Sequence, residues 1–599
     1  MIQPATVVIT GALGHSPRVT DAEVLSPAIH VRWNKNPNKH AIGRRGTVDL
    51  DGVILLDGKL HTRADSLLEA WRGAELNDFA VHHWGNRAKQ AGCACIWDAQ
   101  REQFAMLPDP LGGASLFRHE YDGLTVWSTD YRELVRTLIE LGARPEPSGD
   151  YQIERLVLGN GGLTEASFEG GRRLPIFHGV IVDSDGVHIV EYQSAAVLRE
   201  DRPYIESVTA LRNDILESVS ALASADVPVK ISHMTGGKDS RLVLGALLET
   251  GHANEFLFFC SGPTGSPDRD IADALSRQFG LRRASSGGLT PKTIGDTFTQ
   301  RAALLKYSAG LMTAGPTGHE DELPVMIAAG GYGELMRSFY RKLPTRDKAE
   351  WRDEAKVLSN VAGKGLEDLL ANEAIDTLAH NLVTKLRDLT DQRVPLDFVG
   401  NALYLSVRNR YLVGAKAVMW NRVGVETNPL YSVHAVAAAR QLGPEARDAN
   451  VLIFDVLQTF GHHLAELPFD KNPRGAKYAE QRRVPEDLTF TVHHPNIEWV
   501  DVPRQVSEST TSTASSQLSR DEILARANAM GVPYWQSQFL ESAQQDLREL
   551  LASESGDALD GMFRREYLRE ISRTTTWNRR RIRHVFAAGS IARWWSDPV

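Results

Sequence analysis

One segment limits the possible folds of this chain more than any other, because it joins two apolar stretches through a glycine-rich turn. Val229 and Ile231 lie in a run that predicts a buried strand, and the residues from Arg241 to Glu249 predict a helix. The turn between them is Thr-Gly-Gly-Lys-Asp-Ser, residues 235–240. A strand, a tight turn and a helix in this order form the repeating unit of a parallel sheet that helices cover on both faces. We therefore expect an α/β domain around this segment.

The residues before this segment follow a different pattern. Residues 1–200 contain short apolar runs, and a single helix is predicted over residues 64–71. Asp-Gly pairs, which favour hairpin turns, close several of these runs, at 51–52, 57–58, 122–123 and 185–186. This pattern predicts a mostly β domain of the α+β type over residues 1–200.

The residues after position 200 complete the predicted domain organisation. Alternating strands and helices assign residues 201–500 to the α/β domain. Residues 501–520 are rich in Ser and Thr and predict a flexible segment. Residues 521–599 have the apolar spacing of helices and predict a helical C-terminal extension.

The composition excludes several classes of protein. Subtracting 76 acidic residues from 67 basic residues gives a net charge of −9, which disfavours a general binder of nucleic acid or of anionic membranes. Three cysteines are too few to crosslink 599 residues. The sequence begins without the pattern of a signal peptide, and no apolar run reaches about 18 residues. We therefore expect a cytoplasmic protein with no nucleic-acid or membrane partner.

The residue types of the glycine turn point to anion binding. Gly236 and Gly237 allow backbone N–H groups to approach a ligand, and the helix that follows contributes partial positive charge. The spacing does not fit a Walker A loop. Asp239, an acidic residue inside this turn, would repel a bound anion unless a cation lies between the two. Mg²⁺ between Asp239 and the phosphates of ATP would remove this conflict.

The turn resembles the Ser-Gly-Gly-x-Asp-Ser loop of the ATP-pyrophosphatase (PP-loop) domain in the asparagine synthetase family, with Thr235 in place of the serine. Residues 255–261 are similar to the family's next strand, and residues 265–268 to the segment after it. Residues 330–337, GGYGELMR, stand where the family has a Gly-rich acidic stretch, in a register that places either Gly330 or Tyr332 near the usual acidic base. The resemblance implies ATP and Mg²⁺ as cofactors. It implies ATP or pyrophosphate binding by Thr235, Gly236, Gly237, Lys238, Asp239, Ser240, Ser261 and Gly331, and Mg²⁺ binding by Asp239 and Glu334.

The front half of the chain, residues 1–200, resembles the class II glutamine amidotransferase domain of the same family. The resemblance is carried by residues 96–98, 107–113, 127–134 and 173–175. It implies an Ntn-hydrolase-like domain with the layer order αββα. Working glutaminases of this class use a cysteine after the initiator Met, whereas position 2 is Ile2. We therefore expect no glutaminase activity, and we interpret Cys93 and Cys95 as core or edge residues of a strand.

With this order of domains and without the glutaminase cysteine, the chain resembles β-lactam synthetases and lasso-peptide cyclases. That resemblance implies that Tyr332 is catalytic, and we propose Glu426 as its carboxylate partner. It also implies a late lysine that stabilises the adenylate, for which Lys471 is the first choice and Lys477 the second. The structural alternatives are a packing role for Tyr332, a salt bridge for Glu426 and a surface position for Lys471.

The sequence therefore predicts an ATP-dependent carbon–nitrogen ligase that forms AMP and pyrophosphate. It would adenylate a small-molecule or peptide carboxylate and join it to an amine of the same substrate, giving an amide, a lactam or a macrolactam in natural-product biosynthesis. A peptide cyclase would work with a leader-peptide-binding protein or a protease. Two alternatives stay open, a ligase that uses free ammonia or an external amine and a non-catalytic scaffold. The acidic balance argues against a third, a tRNA-modifying enzyme.

Overall fold

The computed structural model describes most of the chain. The described ranges are 5–11, 19–164, 166–261, 265–288, 324–363, 365–471, 488–502, 518–532, 536–537 and 539–596. Ile2, Lys477 and most of the predicted flexible segment lie outside these ranges.

The front half contains two antiparallel sheets of six strands each. The strands of the first sheet are, in spatial order, Arg172–Arg173, Phe117–Tyr121, Leu124–Ser128, Val7–Gly11, Ile29–Arg32 and Glu23–Ser26. Those of the second sheet are Gly186–Glu191, His178–Asp183, Gln103–Pro108, Gly92–Asp98, Gly46–Gly52 and His40–Ile42. A separate hairpin joins Ile54–Leu56 to Lys59–His61.

The two antiparallel sheets pack face to face, and helices cover their outer faces. Val8 and Trp127 of the first sheet share a core with Cys95 and Met106 of the second. The neighbouring residue Val7 points the other way, into the core beneath the helix Tyr131–Glu140. The helix Ala64–Trp71 and the π-helical turn Phe79–Trp84 cover the second sheet. The layers thus follow the order helix, sheet, sheet, helix, with side chains alternating between faces along each strand.

The rear half of the chain, residues 201–500, is built on a parallel sheet of six strands. In spatial order these are Val425–Thr427, Val325–Ala328, Val229–His233, Leu257–Phe259, Arg283–Ala284 and Trp499–Val500. The expectation of a mixed α/β chain with a parallel sheet is therefore confirmed.

Helices surround both halves and continue to the end of the chain. Those of the front half not yet given are Leu76–Asp78, Gly85–Arg87 and Gly149–Leu158. Those of the rear half are Tyr204–Ala223, Lys238–Glu249, Pro267–Phe279, Glu354–Ala362, Asn372–Asp391, Val399–Tyr404, the π-helical Leu405–Gly414, Ala415–Trp420, Val433–Arg440, Pro444–Asp448 and Val451–Thr459. The described helices after residue 502 are Arg520–Met530, Leu540–Ala552, Arg565–Arg573 and Arg579–Ser596.

Short 3₁₀ turns complete the description. They are Gln193–Leu198, Ala253–Glu255, Gly333–Met336, Lys348–Arg352, Leu366–Asp368, Leu396–Phe398 and Glu554–Leu559. Within the described ranges, no helix is both long enough and apolar enough to cross a membrane.

Polar contacts join the front half to the rear half. The Lys89 ammonium lies 2.8 Å from a carboxylate oxygen of Asp214 and also contacts Glu217. Arg422 of the rear half lies 2.6 Å from Asp130 of the front half. Both contacts are mostly buried, so the halves are held together by charge pairs whose separation would leave unpaired ions.

Candidate functional site

The glycine turn lies at the carboxyl end of the strand Val229–His233, in the crevice where open α/β sheets bind ligands. The Thr235 N–H donates to the Ser240 hydroxyl at 3.1 Å, and the Gly237 N–H donates to the Thr235 hydroxyl at 3.1 Å. These bonds use the two hydroxyl side chains of the motif to close the turn on itself. Thr235 and Ser240 therefore hold the shape of the turn.

The helix Lys238–Glu249 begins at this turn without a side-chain cap on its first N–H groups. Its partial positive charge is consequently available to an anion. One anion already contacts the turn, because the Gly236 N–H donates to a carboxylate oxygen of Asp268 at 2.9 Å. The turn is thus chemically suited to an anionic oxygen, and a phosphate that used the Gly236 N–H would have to displace Asp268.

Asp239 is neutralised by an arginine that lies 98 residues further along the chain. The two guanidinium nitrogens of Arg337 lie 2.6 and 3.0 Å from the two carboxylate oxygens of Asp239. The same guanidinium is 3.4 Å from Glu334. A Cβ on Gly333 would lie 2.6 Å from the Asp239 Oδ1, so only glycine permits this close approach.

Burial shifts the pKa of the charged groups around Asp239. Burial and the negative charge of Asp239 raise the pKa of Glu334. Burial and the neighbouring positive charge of Arg337 lower the pKa of Lys238. Each shift disfavours the charged form of its group. A cation beside Glu334 and a phosphate beside Lys238 would favour those charged forms and so stabilise the site.

The residues predicted to hold Mg²⁺ do lie together. Among the described residues, no cluster of three or more His, Cys, Asp or Glu side chains has metal-binding geometry. Mg²⁺, however, commonly takes only one or two carboxylates together with substrate phosphates and water. The Glu334 Oε2 is buried and has no hydrogen-bond partner in the described part of the chain, which leaves an acceptor for a cation beside Asp239. Asp239 and Glu334 therefore fit a Mg²⁺ ion that Arg337 would have to make room for.

A buried arginine positions the predicted lysine segment against the turn. Arg241 donates to the backbone oxygens of Leu467 at 2.8 Å and Pro468 at 2.6 Å. Its guanidinium lies 3.7 Å from the ring centre of Phe469. The Asp470 N–H then donates to the Gly236 oxygen at 3.2 Å. The next residue, Lys471, is exposed and directly follows this contact with the turn.

Ser261 and Gly331 lie on either side of the turn. Ser261 is exposed and follows the strand Leu257–Phe259, which pairs with the strand that leads into the turn. Gly331 lies against the side chain of Asn428, and a Cβ there would overlap it. Both positions border the same edge of the parallel sheet.

The structure does not bring Tyr332 and Glu426 together. Tyr332 is completely buried, and its hydroxyl has no hydrogen-bond partner among the residues that the structure describes. The Glu426 carboxylate instead lies 2.9 Å from the Lys416 ammonium. The predicted dyad is therefore absent as a hydrogen-bonded pair, and Glu426 forms the salt bridge that was its structural alternative.

Tyr332 lies between Gly113 of the front half and Tyr431 of the rear half. Its ring lies 4.7 Å from that of Tyr431, and a Cβ on Gly113 would lie 2.5 Å from its hydroxyl. The Tyr431 hydroxyl donates to Asp109 at 2.6 Å. Burial raises the pKa of Asp109 to about 6 and holds that of Tyr332 well above its usual value. Tyr332 thus belongs to the contact between the halves.

The sequence interpretation left Asp268 and Arg337 out of the site. Asp268 was noted only as part of the segment that follows the second strand. Arg337 is the last residue of the segment 330–337, and the family resemblance of that segment assigns it no role. The signal available for both was their position inside segments that the resemblance already singles out, residues 265–268 and 330–337.

The front half offers no thiol nucleophile in the described ranges. Cys93 and Cys95 lie on one face of the strand Gly92–Asp98, in the core between the two sheets. Burial raises the pKa of the Cys93 thiol, which disfavours the reactive thiolate. Both cysteines are packing residues.

Comparison with known proteins adds little to this geometry. A scan of known protein-family models and a search of curated proteins found no match. A glutamine phosphoribosylpyrophosphate amidotransferase from B. subtilis, complexed with ADP and GMP, is 12% identical over 55% of this chain and 76% of its own, with a TM-score of 0.17. A structure described as the allosteric regulatory enzyme of purine biosynthesis is 12% identical over 56% of this chain and 77% of its own, also with a TM-score of 0.17. TM-scores this low do not establish a shared fold, so the function has to be inferred from the residues of the chain itself.

Proposed function

We propose that this chain is an ATP-dependent, AMP-forming amide synthetase, and that the turn at residues 235–240 binds the phosphates of ATP. The observation that carries the proposal is the convergence of an uncapped helix N-terminus, two carboxylates and two cationic side chains at one carboxyl edge of the parallel sheet. N–H donors and cations suit phosphate oxygens, and the paired carboxylates suit Mg²⁺. The resemblance of this turn to the asparagine synthetase family supports the same assignment.

The first step that this site would perform is activation of a carboxylate. A substrate carboxylate oxygen attacks the α-phosphorus of ATP, and the bond to the β-phosphate oxygen breaks to release pyrophosphate. The helix N-terminus, Lys238 and Lys471 would hold the departing phosphates and neutralise their charge. Mg²⁺ held by Asp239 and Glu334 would neutralise further phosphate charge when bound.

The second step is attack by an amine on the activated carbonyl carbon. The new C–N bond forms, the bond to the AMP oxygen breaks, and the amine loses its proton to a base. The front half has no thiol placed to release ammonia from glutamine in the described ranges. We therefore propose that the amine belongs to the substrate itself, which gives a lactam or macrolactam. A ligase that takes ammonia or a separate amine is the alternative within the same chemistry.

Carboxylate-dependent exchange of labelled pyrophosphate into ATP tests the proposal. We expect the full chain to catalyse exchange with Mg²⁺ and a panel of amino acids and short peptides. Asp239→Asn should reduce the rate by about 10²-fold or more, the usual cost of removing one electrostatic group from an active site. Asp270→Asn is the matched control, because Asp270 is an exposed carboxylate on the next helix and should leave the rate unchanged.

Two outcomes would contradict the proposal. An Asp239→Asn rate equal to that of the parent protein would show that exchange does not use this site. Failure of the full chain to bind a nonhydrolysable ATP analogue in the presence of Mg²⁺ would remove the nucleotide altogether. Release of labelled ammonia from glutamine would separately refute the interpretation of the front half.

A non-catalytic scaffold is the second candidate, and a specific observation favours it. The proposed chemistry needs the Gly236 N–H and the Asp239 carboxylate, and other side chains already contact both. The Gly236 N–H donates to Asp268, and Arg337 neutralises Asp239. A turn that is permanently closed by these contacts would bind no nucleotide. The nucleotide-binding measurement distinguishes this scaffold from an enzyme whose contacts open when ATP arrives.

A further inference from the structure

A second concave site lies between the two halves of the molecule. It is a cavity of about 400 Å³, within the size range of small-molecule sites. The front half contributes residues 173–178 and 191–199, and the rear half contributes the helix Asn372–Asp391 and the helical segment that follows residue 398. Neither the glycine turn nor Arg337 lines it, so this cavity is separate from the candidate nucleotide site.

The walls of the cavity combine apolar surface with excess positive charge. Ile176, Phe177 and Leu389 are among its apolar residues. Four lining residues are cationic (Arg173, Arg199, Lys385 and Arg410) and two are acidic (Glu191 and Asp388), which leaves a net charge of +2. One of these acids is already engaged, because Glu191 lies 2.7 Å from Arg199.

Arg173 is the side chain that most favours an anion in this cavity. It is 4% exposed, and its guanidinium lies 3.9 Å from the ring centre of Tyr411 and 4.6 Å from that of Phe117. Among the described residues, its hydrogen-bond acceptors are the neutral hydroxyls of Ser115 at 3.0 Å and Tyr151 at 3.4 Å, and its Nε has no partner. No described carboxylate forms an ion pair with Arg173; a buried guanidinium without a counter-ion is costly, and an anion in the cavity would offset that cost.

The cavity shares a wall with the candidate nucleotide site. Ala402, Ser406 and Arg410 recur every four residues and line the cavity. On the same helical segment, the Asn401 side-chain amide donates to the Arg337 backbone oxygen at 3.0 Å. The segment Leu405–Gly414 is π-helical, a rare geometry that is frequent at functional sites.

We propose that this cavity binds a small organic carboxylate with an apolar body, the carboxylate pairing with Arg173 and the body lying against Ile176, Phe177 and Leu389. The excess positive charge selects an anion, and the apolar wall favours a hydrocarbon chain over an inorganic ion. Because the wall helix also contacts Arg337, the ligand is placed to influence the glycine-turn site. The binding itself does not depend on the proposed ligase activity.

Equilibrium binding of labelled hexanoate to the full chain, without ATP or Mg²⁺, tests the proposal. Hexanamide has nearly the same shape without the charge, and acetate has the charge without the chain. We expect hexanoate to bind at least ten-fold more tightly than either. Equal affinity for hexanoate and hexanamide, or no binding of hexanoate, would overturn the proposal without the need for any variant.

Two substitutions then locate the ligand. Ser406→Phe fills the cavity and should weaken hexanoate binding at least ten-fold, whereas Ser406→Ala, the matched control, should leave it unchanged. Arg173→Lys retains a charge but loses the planar guanidinium, and it should also weaken binding. Unchanged binding in folded Ser406→Phe, checked by circular dichroism, would place the ligand elsewhere and refute the assignment.

Discussion

Replacing Arg337 with methionine would remove the only guanidinium that contacts both Asp239 and Glu334 in the described ranges. Arg337 makes two short contacts with Asp239 and one with Glu334. The side chains of Arg337 and Asp239 are 15% and 21% exposed. Methionine retains much of the apolar stem, so the variant mainly removes charge. It leaves two carboxylates near each other, each raising the other's cost of ionisation.

The size of the effect follows from this intermediate burial. Breaking a fully buried ion pair costs about 3–5 kcal/mol, and breaking an exposed pair costs about 0–1 kcal/mol. We therefore expect Arg337→Met to lower the free energy of unfolding of the rear half by about 2 kcal/mol. At about 2–4 °C for each kcal/mol, its thermal transition should fall by about 4–8 °C. Scanning fluorimetry of the full chain measures this shift.

Magnesium should restore part of the lost stability. In the parent protein, a divalent cation has to compete with Arg337 for Asp239, whereas in Arg337→Met both carboxylates are available. About 10 mM Mg²⁺ should therefore raise the transition temperature of Arg337→Met more than that of the parent protein, since a ligand that binds only the folded state stabilises it. The double variant Asp239→Asn/Arg337→Met is the control, because it lacks one of the two ligands. An equal Mg²⁺ effect in the single and double variants would refute the metal assignment.

Three further predictions concern the structure around the site. Gly333→Ala should displace Asp239 and lower the transition temperature, whereas Gly461→Ala, at a position with space for a Cβ, should have little effect; equal melting of the two variants would contradict the close approach. Lys89→Met should remove the ammonium that lies between Asp214 and Glu217 and cost about 2 kcal/mol in a denaturant titration, compared with no change for the exposed Lys59→Met. Burial raises the pKa of Asp109 from 3.8 to about 6, so the folded state binds a proton that the unfolded chain lacks between these values. Parent stability should therefore rise relative to Asp109→Asn as the pH falls from about 7 to about 4, and a stability difference that does not change with pH would count against this interpretation.

Local patterns in the sequence determined the elements that carry the site. Apolar residues around Val229 and along 241–249 specify a strand and a helix, and Gly236 and Gly237 specify the turn between them. The helix extends to Lys238, three residues before its predicted start, because the acidic and polar residues of the motif also suit a first helical turn. The helix Ala64–Trp71 has the predicted bounds. These features depend on side-chain periodicity and backbone preference over a few residues, which a sequence displays directly.

The Asp-Gly pairs show where local preference begins to fail. The pairs at 57–58 and 122–123 form hairpin turns, with both residues at positive φ. Asp51-Gly52 instead ends a long strand, and Gly52 pairs with Gly92 of the neighbouring strand. A turn preference of a few tenths of a kcal/mol to about 1 kcal/mol gives way when a neighbouring strand offers additional ladder bonds.

Only the tertiary structure decided which side chains surround the turn. Arg337 neutralises Asp239 across 98 residues, and the Gly236 N–H bonds to Asp268 across 32. Tyr332, which its motif made a catalytic candidate, is instead buried against Tyr431. Each of these contacts depends on how crossover connections bring the ends of separate parallel strands to one edge of the sheet. Burial and charge in the folded structure determine which residues contact Asp239, Gly236 and Tyr332. The spacing of residues along the chain does not predict these contacts.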